Sequence, residues 1–321
     1  MEFPTALRTA LEEPLLGQKQ SLLMREAQAL SERYRTQTGM GRRLLTEDLQ
    51  AAAYAAVRMP ATFGAVCCAL EWTLAGTSLR PATLLDAGAG TGAASFAAAE
   101  YLPLRHASCL EREGAMSRLG RHLMDRAGPE VLRQAEWQAC DLSRENVPQS
   151  AELVVASYVL GEMEGTDRLR TVDKLWNAST RFLLIVEPGT PAAFSQLQEI
   201  RTHLLQQGAH LIAPCPQQGD CPVCGADWCH FTCRVARSKL HRQLKGGDAP
   251  FEDEKFCYLA FSQTESARAP ARIRRHPRIE PGKITLELCT ADGLEQCVVR
   301  KRDGSAFKRA RKSRCGDAWD I

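Results

Sequence analysis

Apolar positions recur at helical spacing in the first part of the chain, at Leu11, Leu15, Leu22, Leu23, Ala27 and Leu30. Two more apolar segments, at 51–57 and 65–70, predict helices, and Pro60 restarts the chain between them as proline does at a first helical turn. Residues 1–78 therefore read as an N-terminal helical region. From Thr83 the rhythm changes to short apolar strands near 83–86, 106–111, 134–139, 152–157, 181–187 and 209–213. Helical patterns fill 91–102, 114–126, 166–179 and 191–207. A last strand over 255–261 completes a seven-stranded sheet by pairing with 209–213. This alternation predicts an α/β fold over residues 79–265, a doubly wound sheet with helices on both faces. The join between the last two strands exceeds 40 residues, too long for a hairpin, and forms a Cys-rich insert at 214–250. Residues 266–321 read as a basic, β-rich extension with turn signals at Asp292-Gly293 and Asp303-Gly304.

Composition changes the picture in two places. The chain has 321 residues, 44% hydrophobic and 25% charged, as an ordinary globular protein has. Its net charge of +3 hides an asymmetry. Residues 234–314 carry 20 Lys and Arg against 10 Asp and Glu, a net +10 that leaves −7 on the rest. A basic tail on a mildly acidic body suggests a polyanionic partner, most commonly nucleic acid. The second feature is 13 cysteines. No apolar run reaches the roughly 18 residues of a membrane span, so no membrane partner is expected. The N-terminal segment lacks the apolar block of a secretory signal, and Glu12 and Glu13 argue against an acid-poor transit peptide. A cytoplasmic setting of bacterial type follows, and in it clustered cysteines point to metal or redox chemistry rather than disulfides.

The segment Leu84-Leu85-Asp86-Ala87-Gly88-Ala89-Gly90-Thr91-Gly92 runs from an apolar strand into an Ala-rich helix. Glycines there allow close backbone approach and aim amides at a ligand from a helix N-terminus. The pattern predicts a class I, S-adenosylmethionine-type Rossmann-like domain. In it the loop amides hold the cofactor carboxylate, and Asp86 accepts from its amino group directly or through water. Glu111, at the next strand end, is positioned for the ribose hydroxyls. Asp141 and Leu142, after the third strand, fall beside the adenine. A dinucleotide site is the rival, because Gly88, Gly90 and Ala93 also fit its looser pattern. No catalytic group is legible: 157–162 lacks the Asn/Asp-Pro-Pro-aromatic element of base-amine methylation. The fifth strand leads into Glu187-Pro188-Gly189 with no cysteine nucleophile. Glu162 fits a base or a structural role equally.

Cys215, Cys221, Cys224, Cys229 and Cys233 fall within 19 residues, among prolines and glycines. Several thiolates in a turn-rich loop signal a metal site. Cys221, Cys224, Cys229 and Cys233 have spacings for a local zinc site, while an iron–sulfur cluster also takes four thiolates.

Pro214-Cys215-Pro216, Cys221-Pro222, Asp227-Trp228-Cys229-His230-Phe231, Arg234-Val235-Ala236-Arg237 and Phe251-Glu252-Asp253-Glu254-Lys255-Phe256 resemble the Rsm-type, methyltransferase-like proteins of the ribosomal small subunit. Arg58-Met59-Pro60-Ala61-Thr62-Phe63 and Val186-Glu187-Pro188-Gly189-Thr190-Pro191 extend the resemblance over most of the chain. The resemblance implies a class I methyltransferase fold and, as partner, the small ribosomal subunit and its rRNA, with no DNA expected. It also implies a four-cysteine [4Fe-4S] cluster on Cys215, Cys221, Cys229 and Cys289, which would clamp the tail to the main domain. The sequence departs from the pattern in having Cys224 and Cys233 as well, which keeps zinc open. Arg272, Arg274, Arg275, Arg278, Arg300, Lys301, Arg302, Lys308 and Arg309 are then expected to meet rRNA phosphates, by charge rather than base readout. The function expected is an S-adenosylmethionine-binding, cluster-containing factor of the small subunit, in assembly or translation, with rRNA methylation open. The alternative is a non-enzymatic RNA-binding scaffold with zinc and a vestigial pocket.

Overall fold

The computed structural model describes residues 2–36 and 47–320; the side chains of Ala27 and Leu30 lie outside the described residues. Helix α1 (Thr5–Glu12) buries Leu7 and Leu11, and α2 (Gln20–Thr36) buries Leu23. Helix α3 (Asp48–Leu74) runs unbroken through Pro60, so the expected restart does not occur. An interior proline removes a donor and costs about 3 kcal/mol or more. Here burial outweighs it, because α3 is enclosed on most sides, from Ala51 to Leu74, and Pro60 itself is buried. By length and composition α3 is apolar enough to cross a membrane, yet most of that stretch is buried inside the protein, against α2 and the helices and strands that follow.

The parallel strands are β1 (Thr83–Ala87), β2 (His106–Leu110), β3 (Glu136–Gln138), β4 (Ala151–Ser157) and β5 (Ser179–Pro188). Between them lie α4 (Ala93–Tyr101), α5 (Gly114–Ala127), the single turn α6 (Glu130–Arg133) and α7 (Gly165–Ala178). Then come α8 (Pro191–Gln206), β6 (His210–Ala213), β7 (Phe231–Ala236), α9 (Lys239–Lys245) and β8 (Phe251–Ser262). The sheet order is β3-β2-β1-β4-β5-β8-β6, with β8 antiparallel to both neighbours. Strands in the middle are buried on both faces, as central strands of doubly wound sheets are. On β4, Leu153 and Val155 join the core under α3 and α4, while Val154 and Ala156 join the one under α7 and α8.

The strand expected at 255–261 is longer because the insert supplies it with a partner. Its first half pairs with β7, from Phe231↔Phe256 to Ala236↔Phe251. A second sheet follows, made of β9 (Ala271–Ile273), β10 (Arg278–Glu280), β11 (Lys283–Thr290), β12 (Gly293–Arg300) and the short β13 (Ala318–Trp319), with α10 (Ser305–Lys312) against it. Its core is Ile273, Ile284, Leu286, Leu288, Val299, Ala310 and Trp319. The tail then returns to the first helical layer: a Cβ on Gly316 (φ +99°) would sit 2.1 Å from the Trp72 ring of α3.

Candidate functional site

Two cavities carry the candidate chemistry. The larger, about 360 Å³, lies at the C-terminal ends of β1, β2 and β4, where open parallel sheets bind ligands. Gly88, Gly90, Glu111, Asp141 and Leu142 line it; Asp86 and Gly92 do not. Asp86 is fully buried beneath the loop, with Oδ2 accepting from the Ser95 amide (3.0 Å) and hydroxyl (2.7 Å). Its Oδ1 is buried without a partner, and burial pushes the carboxyl up to about 6.

The glycines work differently from the expectation. The amides of Gly88 and Ala89 donate to the Leu110 carbonyl, Gly90 to Glu111 Oε2 and Gly92 to the Ala89 carbonyl. Three of these four amides are therefore engaged by the end of β2 and the fourth by the loop's own turn. Glycine is required for conformation and closeness instead. Gly88 has φ +72°, and a Cβ there would lie 2.5 Å from Val159 Cγ2. Glu111 accepts from the amides of Gly90 and Glu113 at 2.7 Å each, which fixes its carboxylate at the loop. Burial raises its pKa. Asp141 accepts from the Ser143 amide and hydroxyl.

A further wall brings together Glu162, the candidate base, and Arg58 of the family motif with Tyr54 and Tyr158, which the sequence did not single out. Tyr54 and Arg58 of α3, Tyr158 after β4, and Glu162 all line the cavity. Tyr158 has φ +57°, a left-handed backbone unusual for an aromatic residue. Its hydroxyl donates to Glu254 Oε1 (2.9 Å), which also pairs with Arg58 (3.1 Å). Buried Glu187 accepts from the amides of Val159 and Leu160, fixing the same turn. Burial, with Glu111 nearby, pushes Glu162 up to about 8, so the cavity presents a carboxyl that holds its proton near neutrality.

The second cavity, about 40 Å³, is lined by Cys215, Cys221, Cys229 and Cys289, together with Cys257 and Arg274. Three of these cysteines come from the insert, while Cys289 comes from β11 of the second sheet, in register with Leu294 and Arg272. Burial and the neighbouring thiols raise the pKa of Cys229 and Cys289, the latter to about 12. Cys257 was not singled out by spacing; its thiol donates to the Cys229 carbonyl at 3.1 Å. The local four-cysteine zinc arrangement is not assembled. Cys224 is exposed, and Cys233 is buried on β7 beside Cys68 of α3. Alternation along β7 sends Cys233 into the core under α3. Among the described residues, no three Cys, His, Asp or Glu side chains are gathered as around a single metal ion.

The basic residues divide by burial. Arg272 and Arg274 face inward, each 4% exposed, which removes them from phosphate contact. Arg272 donates to the carbonyls of Pro214 (3.0 Å) and Gly316 (2.9 Å), and Arg274 to Asp227 (2.6 Å). The reason is the seam between tail and insert, whose backbone carbonyls and Asp227 need buried donors. Arg275 is half-buried, held by Asp227 and the Trp228 carbonyl. Arg278, Arg300, Lys301, Arg302, Lys308 and Arg309 are exposed. Arg309 also pairs with Asp320 and stacks over Trp319.

The strand order, with its antiparallel β8 between β5 and β6, and the glycine loop at the end of β1 define the class I S-adenosylmethionine-dependent methyltransferase fold. The model of the family described as mitochondrial small ribosomal subunit Rsm22 matches residues 48–320, and the chain belongs to that family. The human ribosome assembly protein METTL17, mitochondrial, is 28% identical over 290 residues, 84% of this chain and 62% of the relative. Rsm22-cox11 tandem protein 2, mitochondrial, of Schizosaccharomyces pombe is 24% identical over 85% of this chain and 43% of its own length. The chain thus spans less than two thirds of these relatives. Among solved structures, the plantazolicin methyltransferase BpumL in complex with SAH is similar at TM-score 0.46, with 12% identity over 78% of this chain and all of that one. Magnesium protoporphyrin IX methyltransferase from Synechocystis PCC 6803 with bound SAH gives TM-score 0.44 and 12% identity, over 74% of this chain and 100% of that one. The cytoplasmic setting expected from the N-terminal segment is overturned by the family description and these relatives, all of which are mitochondrial.

Proposed function

We propose that this protein binds S-adenosylmethionine in the larger cavity and serves the small ribosomal subunit as an assembly factor, with a four-iron cluster tying its tail to its body. The carrying observation is the convergence of Cys215, Cys221 and Cys229 with Cys289 on one cavity. Five thiols and no carboxylate line the cavity; with the Cys257 thiol engaged by the Cys229 carbonyl, the other four are the donor set of a four-iron cluster. The cavity is small as it stands, so loading separates the thiols and displaces their protons. When bound, the cluster supplies a covalent cross-link between insert and second sheet.

The cofactor reading is supported by Glu111 and Asp141, which line the larger cavity at successive strand ends, with Asp86 beneath the loop keeping one unpartnered carboxylate oxygen. The exposed Arg278, Arg300, Lys301, Arg302 and Lys308 are the residues for rRNA phosphates. Whether methyl transfer occurs turns on the wall of Tyr54, Arg58, Tyr158 and Glu162, where an acceptor would enter.

The test has three readings on the full chain purified anaerobically. About four irons per chain with a brown chromophore are expected; stoichiometric zinc in a colourless protein sinks the cluster. Calorimetry should show adenosylmethionine binding, and none at millimolar ligand favours a scaffold with an empty pocket. Co-sedimentation with small subunits should fall steeply with salt, and a flat response removes the rRNA contact.

A further inference from the structure

Two buried guanidinium groups lie against the thiols of the cysteine cavity, Arg274 within its lining and Arg201 behind it beside Cys215, and both are incompletely satisfied. Arg201, on α8, is 3% exposed; its Nη2 donates to the Gly219 carbonyl (2.5 Å) and at 3.4 Å to that of Gln217, while its Nε is buried with no partner. Arg274, 4% exposed, lines the cavity and spends Nη2 on Asp227, and its Nε is likewise buried with no partner. A buried donor left unpaired costs roughly 1–3 kcal/mol, and here one such donor belongs to cavity-lining Arg274 and the other to Arg201 beside Cys215. Both charges are felt by the thiols: Arg201 by Cys215, Arg274 by Cys229, and both by Cys289. Arg272 provides the contrast, since its donors are taken by carbonyls and it acts as a strut.

We infer that Arg201 and Arg274 are built-in counter-charges to the group held by the four cysteines, donating Nε–H to its thiolates or inorganic sulfides. The inference rests on the cluster reading above. Four thiolates around an oxidised four-iron core make a dianion, which two buried guanidinium groups offset. One electron, taken from a reductant such as dithionite, makes a trianion with no bond formed or broken. Fixed positive charge and N–H···S bonds favour that state, so the pair raises the reduction potential. Asp227, half-exposed and shared with Arg275, links Arg274 to solvent, whereas Arg201 is held by the Gly219 and Gln217 carbonyls.

The experiment is a redox titration with dithionite, followed by electron paramagnetic resonance, on the anaerobically loaded full chain and its Arg201→Gln and Arg274→Gln variants. Each variant should shift the reduced-to-oxidised ratio at fixed potential about tenfold toward oxidised, which is 59 mV for one electron. Arg201→Lys and Arg274→Lys, which keep the charge, should recover part of the shift. Folded variants with full iron and an unchanged ratio overturn the inference and leave the cluster standing. Wild-type protein without iron overturns both. A resonance Raman measurement keeps the inference exposed should the glutamine variants not fold. Fe–S stretching bands of the wild type should move on exchange into D₂O, and less so in the lysine variants. Unmoved wild-type bands overturn it.

Discussion

The two cavities are built on opposite plans. The larger is made mainly at successive ends of the parallel strands, by the local logic of the fold, and is closed by Tyr54 and Arg58 of α3. The smaller takes thiols from a loop and from a strand of another sheet, so its integrity depends on how two layers meet. The first is a property of a motif and the second of an assembly. Damage to the first should therefore stay local, whereas damage to the second should loosen the tail.

The largest expected effect tests that difference. Cys289→Ser should cut iron from about four per chain to fewer than two and raise hydrogen exchange through β9 to β13, with adenosylmethionine affinity unchanged. Cys224→Ser, at an exposed thiol, should leave iron as it was. A reversed pattern dissolves the assembly argument. Next is Gly88→Val, which forces a side chain against Val159 at positive φ. We expect at least a hundredfold weaker cofactor binding and a loss of about 2–4 kcal/mol in denaturant unfolding, from strain and overpacking together. Iron should be retained, and joint loss of both ligands would show that the cavities are not independent.

A smaller effect comes from pH. Free Asp86 titrates at about 6, above its ordinary value. The raised value means that protonation favours the fold, so the Asp86 contribution to stability declines as pH rises from about 4 through 6. A bound ammonium reverses this by favouring the carboxylate. Cofactor affinity should therefore rise about tenfold from pH 5 to pH 7 and then level off. Asp86→Asn should abolish the slope, and a flat wild-type profile would remove Asp86 from the site. The smallest structural effect is expected from Lys308→Ala, Arg311→Ala and Lys312→Ala together, all exposed on α10. The salt dependence of subunit binding should fall by about one per residue with melting unchanged.

What was legible follows the same division. Most strands from Thr83 to Ala213 could be read because they are short apolar runs, β1, β2, β5 and β6 each ending at glycine, proline or charge, while the edge strand β3 is polar. The glycine loop could be read because positive φ at Gly88, Gly90 and Gly92 demands glycine. Continuity through Pro60 was hidden, since it depends on burial by other layers. Tyr158 was hidden because a strained φ leaves no trace in residue type, and its partners Arg58 and Glu254 are far away in sequence. The meeting of Cys289 with the insert came from family resemblance, not spacing. Burial of Arg272 and Arg274 could not be read from charge, which looks the same facing inward or outward.

The separation of Cys215 from Cys289 also sets a clock during synthesis. The 73 residues between them take about 4–15 s to be added at about 5–20 residues per second. From Cys229 onward in that interval three thiols of the cavity exist without their fourth, and Gly316, which seats the tail on Trp72, has yet to emerge. Iron delivered early meets a three-thiolate loop, and iron delivered late meets a finished site. On the proposed cluster reading, a loaded metal reports that translation has passed Cys289.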